Sequence, residues 1–488
     1  MEALYPLQST KGIHTPSTLS RVAPLTYHES MTKAFRGSLL FALAVLLLWA
    51  CARADDTPTP MPSPTGASTS TPLRVATPTP TESTPQEEPP AVNLIAYIGT
   101  DGALYTIAPG GGEPSGLMGE KQGEPALLMA EQGPGEGSVV FHTWPTWSPD
   151  GRKLAVSRLT VQGTDSLRAE VFSITRNSQT TRLYQDPPGV TPLIADNTPH
   201  YLYWSPDSRH LTFLAKGAQN LDLFVSSIDD PEQLLRVING APLYWAWAPD
   251  SLSILLHVGD SVLLLDLTTP AGPIRLDPSS IGFRTPAWSP VSGQMAYIDR
   301  APQGRDALYV ADHDGKNQQP VADVGDSTAF LWSPTGNSIA FLDTDVPTSP
   351  FYNALRVVDL ESGAVRTLTS EQVVSFFWSP DGEKIAYVAF DPLALGMSWK
   401  VLDPKQGQPR KLVDFLPSQE LFLLLSYFDQ YAYSNSLWSP ESQYLVFAGR
   451  LVPEVGMSDG DQVFVMDVNY PSALQAIAEG SIAFWSWN

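Results

Sequence analysis

The sequence predicts an all-β protein, a single β-propeller of four-stranded blades, and three observations carry that prediction. A Trp-Ser-Pro-Asp-Gly turn recurs along the chain. The tryptophans that open these turns stand at spacings that suit four short strands. After each turn, apolar and small residues alternate with the period of two that marks a strand buried on one face.

The unit is clearest in SFFWSPDGEKIAYVAF, Ser375 to Phe390. One strand ends at Trp378, Ser379-Pro380-Asp381-Gly382 makes the turn, and a second strand starts at Ile385. Pro380 presets φ for the first central position of a type I turn, Asp381 tolerates the second, and Gly382 takes the positive φ that sends the chain back antiparallel. Trp378 is a large apolar wedge suited to the space between packed sheets.

Copies follow the same plan: WSPDG at Trp147, WSPDS at Trp204, WAPDS at Trp247, WSPVSG at Trp288, WSPTG at Trp332 and WSPES at Trp438, with Trp485 closing the series. Successive tryptophans lie 57, 43, 41, 44, 46, 60 and 47 residues apart. Four strands of ~5–6 residues with four connections of ~4–6 need about 40, so the long intervals carry insertions. From Asn93 the chain resolves into eight units. The strand after the turn runs from IAYIG at Ile95 to LVFAG at Leu445, the next from LYTIA at Leu104 to VFVMD at Val463, and the third is more polar. Eight units predict eight blades, with seven as the alternative if the first, which contains PGGGEPSGLMGEKQGEP from Pro109 to Pro125, is not a full sheet.

These turns resemble the repeats of TolB-type propellers, and the resemblance covers Asn93 to Asn488. It implies that the tryptophan strand is the innermost of each blade. The folded part starts with the other three strands of a unit and finishes on SIAFWSWN, so Ser481 to Trp487 is expected to supply the missing inner strand and seal the ring. The separate α/β domain of TolB has no counterpart here, so a Tol-Pal role is not implied.

Ahead of the propeller, Met31-Thr32-Lys33-Ala34-Phe35-Arg36 followed by GSLLFALAVLLLWA has the basic start and short apolar core of a secretion signal. Translation starting at Met31 rather than Met1 would suit it. The run stops at Cys51, the only cysteine, in a setting that resembles the lipobox of bacterial lipoproteins, where the cysteine takes the lipid. The alternatives are ordinary cleavage after Ala54 and an uncleaved anchor. Residues 55–92 are a Pro/Thr/Ser tract too poor in large apolar residues to bury a core. Extended at about 3 Å per residue, ~35 residues span up to ~100 Å. The expected organisation is therefore 1–54 extension and signal, 55–92 linker, and 93–488 propeller, outside the cytoplasm and held to the membrane only through its amino-terminal end.

Net charge is −22, and residues 1–50 carry four cations against two acids, so the acidity belongs to the rest. That excludes nucleic acid and anionic lipid headgroups as natural partners. The connections after the first and third strands of each unit share one face, and the long segments fall there: Val161 to Ala169, Asp186 to Pro199, Ala301 to Ala307, Asp343 to Ala354, Asp391 to Ser398, Phe415 to Asn435 and Leu451 to Asp461. Loops on a rigid scaffold carry specificity, so this is the expected binding face for a protein, peptide or glycan. Tyr427, Phe428, Tyr431 and Tyr433 of the largest insertion, with Phe351 and Tyr352, are its candidate contacts. The competing reading packs the insertion's rings onto the propeller itself.

An enzyme is the alternative function, a lyase or hydrolase of oligosaccharide or peptide at the mouth of the central channel. Its candidates are His142 and His200, each a few residues before a tryptophan on neighbouring blades, with Asp196 nearby; a metal site needs three or more suitable ligands. His210, His257 and His313 show no convergence. Gly456-Met457-Ser458-Asp459-Gly460 fits GxSxG, but no histidine follows it, so it lacks the context of a nucleophile elbow. Asp312-His313-Asp314-Gly315 and Ser458-Asp459-Gly460-Asp461 read as hairpin turns rather than calcium loops. No catalytic residue, metal or cofactor is predicted, and the protein is expected to be a monomer.

Overall fold

The computed structural model describes residues 93–119, 138–162, 166–186, 200–216, 220–280, 284–301, 304–346, 349, 351–391, 396–452 and 460–487. Cys51 and the signal and linker, Asp196, and Ser458 of the GxSxG match lie outside the described residues.

The described chain forms eight four-stranded antiparallel blades. Blades II to VII start from inner strands Ser138–Trp147, His200–Trp204, Leu243–Trp247, Ala287–Trp288, Ser327–Trp332 and Val373–Trp378. In blade VIII the inner position is reduced to a single bridge, Trp438 to Leu445, followed by strands Tyr444–Leu451 and Gln462–Asp467. The last strand, Gln475–Trp485, serves two blades. Its first half pairs with Gln462–Asp467, and its second half is the inner strand of blade I, against Ile95–Gly99. The register sets Ile95 opposite Trp485 and Ala96 opposite Phe484, so the predicted seal is present. At the crossing, Gly480 lies so close to blade I that a Cβ would meet the Ile98 carbonyl oxygen at 2.5 Å, which is why no side chain stands there.

The turns form as their chemistry dictates. In the Trp378 copy, the Gly382 N–H donates to the Ser379 carbonyl (2.8 Å), and Gly382 has φ 70°. Ser379 Oγ donates to Asp381 Oδ1 and accepts from the Lys384 N–H (2.9 Å). Three copies place serine at the glycine position: Ser208, Ser251 and Ser442, with φ 61–62°. Left-handed backbone costs a non-glycine residue roughly 1 kcal/mol. Each serine offsets this by accepting a bond across the blade boundary, from the backbone N–H of Asp150, Asp207 or Asp381 at 3.0–3.1 Å.

The inner tryptophans do more than fill space. The indole N–H of Trp204 donates to the carbonyl of Thr146, the residue just before the tryptophan of the preceding blade (3.0 Å). Trp147, Trp247, Trp332, Trp378 and Trp438 repeat this bond to Phe484, Tyr203, Ala287, Leu331 and Phe377 at 3.2–3.4 Å. Trp288 and Trp485 occupy the same position, and their indole nitrogens have no partner. The relay ties blades in sequence order around the ring, while the apolar core lies between adjacent sheets.

Candidate functional site

Two faces follow from this topology. One carries the short turns between the inner and second strands and between the third and outer strands. The other, the loop face, carries the described ends of all the long connections. The chain enters the propeller on the turn face: Asn93 Nδ2 donates to Glu441 of the WSPES turn (3.2 Å), and Leu94 O accepts from the Ser486 N–H (2.8 Å).

The largest insertion leaves the outer strand of blade VII on the loop face as helix α1 (Gln419–Ser426), which Ser418 caps by accepting from the Leu421 N–H at 3.1 Å. Leu421, Leu424 and Leu425 bury one side of it. Tyr427, at φ −127° and ψ 37°, bends the chain into the short helix α2 (Phe428–Tyr431). From there the chain dives. Tyr431 stacks on Trp144 of blade II (4.6 Å, 12°) and against Tyr201 of blade III (4.7 Å). Phe428 packs on Phe376 and Phe377 of blade VII (5.0 and 6.1 Å). The Tyr433 hydroxyl accepts from the Trp332 N–H of blade VI (3.1 Å), Asn435 Nδ2 donates to the Pro145 carbonyl of blade II (3.3 Å), and Trp485 of blade I donates to the Ser436 carbonyl (2.9 Å). Blades II and VI are opposite one another in an eight-membered ring. A segment that touches both lies on the axis, so this insertion is a plug in the central channel.

The rings of the insertion therefore turn inward. Phe428 and Tyr431 are buried, and Tyr427 and Tyr433 half-buried; this is packing onto the propeller itself. Phe351 and Tyr352 stay on the loop face, half-buried: Phe351 stacks flat on Phe390 of blade VII (4.2 Å, 5°), and Tyr352 exchanges backbone bonds with Val373 (2.9 Å).

Trp144, Tyr201 and Thr285 escape a sequence reading that looks only at the turn. They occupy one equivalent position, three residues before the inner tryptophan of blades II, III and V, and so form a layer around the axis. At Trp144 and Tyr201 the strand register shifts and φ is positive (58° and 56°), a bulge that re-aims each ring at Tyr431. The aromatic residues of HTWPTW and HYLYW at that offset were the available signal.

Asp429 is the titratable centre of the plug. It keeps some accessible surface yet is surrounded by protein, and that burial pushes its carboxyl up to about 6, although Thr285 and the first amides of α2 favour the charged form. Tyr201 and Tyr433 stand near it, and burial first of all raises Tyr201, Tyr431 and Tyr433 above the ordinary phenol value. No ion pair involves Asp429 among the described residues. A lone carboxyl among hydroxyls can exchange a proton near neutrality.

Of the channel-mouth candidates, the structure places the side chain of His142 alone. His142 is buried, and its Nδ1 lies 2.9 Å from the carbonyl of Gly102 in blade I, on the side away from blade III. The bend at Gly102 (φ 75°) leaves that carbonyl facing blade II, where the His142 backbone N–H also donates to it (2.9 Å). Burial holds the imidazole below its ordinary value. His200 opens its strand opposite Leu214. Among the described residues no group of three or more His, Cys, Asp or Glu side chains is placed to hold a metal ion. At Asp312–Gly315 the chain makes a turn in which Lys316 pairs with Asp314 (2.6 Å).

No family model matches the chain, and no curated protein matches it. Solved structures share its architecture at low identity. It is similar to TolB from Acinetobacter baumannii (18% identity, 69% of this chain and 83% of that one, TM-score 0.36). It is also similar to oligogalacturonate lyase in complex with manganese (15%, 74% and 96%, 0.43) and to a eukaryotic initiation factor (15%, 81% and 98%, 0.44). The likeness is one of fold.

Proposed function

We propose that the protein is a propeller of the bacterial cell envelope, tethered at its amino-terminal end through Cys51 and the 55–92 linker, that binds a protein, peptide or glycan partner on its loop face without catalysing a reaction. One observation carries this reading: the described ends of every long connection lie on one face, and the chain enters on the other at Asn93. A tether leaving from the turn face leaves the loop face free to meet a partner. The plug supports it further, because it gives that face a closed floor.

Photocrosslinking tests it. A crosslinking residue at Asp260 or Leu423 on the loop face is expected to capture the partner in intact envelopes, and one at Val291 or Tyr470 on the turn face is not. Capture from the turn face alone refutes the reading. Cys51→Ser is expected to move the chain from the membrane to the soluble fraction.

The second reading, a lyase or hydrolase acting on oligosaccharide or peptide, is favoured by Asp429, a carboxyl in the axial plug that burial pushes up to about 6, with Tyr201 and Tyr433 near it. It requires turnover of an oligosaccharide or peptide panel that Asp429→Asn abolishes while the fold persists.

A further inference from the structure

Large apolar side chains exposed on the loop face gather, among the described residues, around one blade. Val346 is 50% exposed, Leu423 44% and Val452 40%. They come from three different loops, and each loop leans on blade VII. The Val346 loop places Phe351 on Phe390 and pairs Tyr352 with Val373. Helix α1, which carries Leu423, packs on the inner and outer strands of that blade. The Val452 N–H donates to the Asp414 carbonyl on its outer strand (3.2 Å), and Leu451 pairs with Phe415. The other exposed large apolar residues, such as Leu234, Ile274, Val291 and Tyr470, sit on the turn side and are spread over several blades.

Among the described residues, the charge around this patch has one sign to spare. Lys400 is held by Glu371 (2.7 Å) and Arg450 by Asp461 (2.8 Å), so both cations are already neutralised. Asp345 adds an exposed carboxyl group and Glu420 a half-buried one that burial holds above its ordinary value, neither with an ion-pair partner among the described residues, on a chain of net charge −22. Apolar side chains rimmed by unbalanced acids complement a polypeptide that alternates basic and apolar residues.

Resting on the loop-face reading above, we infer that the surface centred on blade VII, formed by Val346, Phe351, Leu423 and Val452 with Asp345 and Glu420 at its rim, docks a basic, apolar-anchored polypeptide segment of the partner. The apolar anchors supply affinity, and the rim selects the sign of the charge.

Short peptides alternating leucine with lysine, leucine with glutamate, and serine with lysine test this on the full chain by fluorescence anisotropy at low and high salt. The leucine/lysine peptide is expected to bind at least about tenfold more tightly than the other two. Leu423→Ser with Val452→Ser is expected to weaken it about tenfold, Asp345→Lys to weaken it and flatten its salt dependence, and Val291→Ser to change nothing. Equal binding of the leucine/glutamate peptide, or an equal loss from Val291→Ser, overturns the inference. Crosslinks to the native partner separate it from its premise: capture from Asp260 but not from Val346, Leu423 or Val452 overturns the blade VII site and leaves the loop face standing, whereas capture from Val291 alone overturns both.

Discussion

Replacing Asp429 with asparagine should stabilise this protein at neutral pH and do nothing at low pH. The side chain sits in the axial plug with no cation against it among the described residues, and burial raises its carboxyl from an ordinary 3.8 to about 6. A group whose folded pKa is raised binds its proton more tightly in the folded state. Below about 4 the carboxyl is neutral in both states and costs nothing. Between about 4 and 6 the unfolded chain ionises first, so stability falls as pH rises, and above 6 the full penalty remains. Holding the charged form in that site costs about 3 kcal/mol at most. Its partial accessibility to water lowers the expected figure to ~1–3 kcal/mol. Urea unfolding of parent and Asp429→Asn at pH 3 and 7.5 isolates the effect, since the other titrating groups are common to both proteins. The variant is expected to match the parent at pH 3 and exceed it at pH 7.5. Parallel pH profiles for the two would refute a buried, unpaired Asp429, and with it the placement of α2 on the axis.

The buried His142 works in the opposite direction: burial lowers its folded pKa, so the unfolded chain takes the proton first and stability is lost as pH falls through about 6.5; His142→Asn is expected to remove that component of the melting temperature between pH 7.5 and 5.5. Trp204→Phe should cost about 1 kcal/mol more than Trp288→Phe in chemical unfolding, because only Trp204 loses an indole bond to the preceding blade. Ser208→Ala should destabilise by about 1 kcal/mol, losing the bond from the Asp150 N–H while keeping the left-handed backbone, and Ser208→Gly should be near neutral because relief of strain offsets the same loss.

Much of the ring was legible before any coordinates. The turn at Ser379-Pro380-Asp381-Gly382 is local chemistry that four neighbouring residues settle among themselves, and it forms as read. The seal was legible because the strand order is out of phase: Ile95 starts as a second strand and Trp485 ends as an inner one, which leaves a single pairing that makes the blades whole. The indole relay was not legible, because each bond joins a tryptophan to a carbonyl more than forty residues away in the chain and depends on the angle between blades. Nor was the direction of the insertion. Its aromatic residues stood out, yet Tyr431 meets Trp144 and Tyr201, which lie over two hundred residues away in the chain.

The division has a physical basis. Short-range preferences of proline, glycine and alternating apolar residues, repeated eight times, determined that this chain makes small twisted sheets and closes them on themselves. What tertiary structure alone decided is how the bore of an eight-membered ring is filled. The insertion fills the axis, and burying Phe428 and Tyr431 there gains about 1.5–3 kcal/mol apiece over leaving them in water. That gain exists only once all the blades are in place, so the same aromatic residues that looked like an outward-facing contact became the floor beneath one.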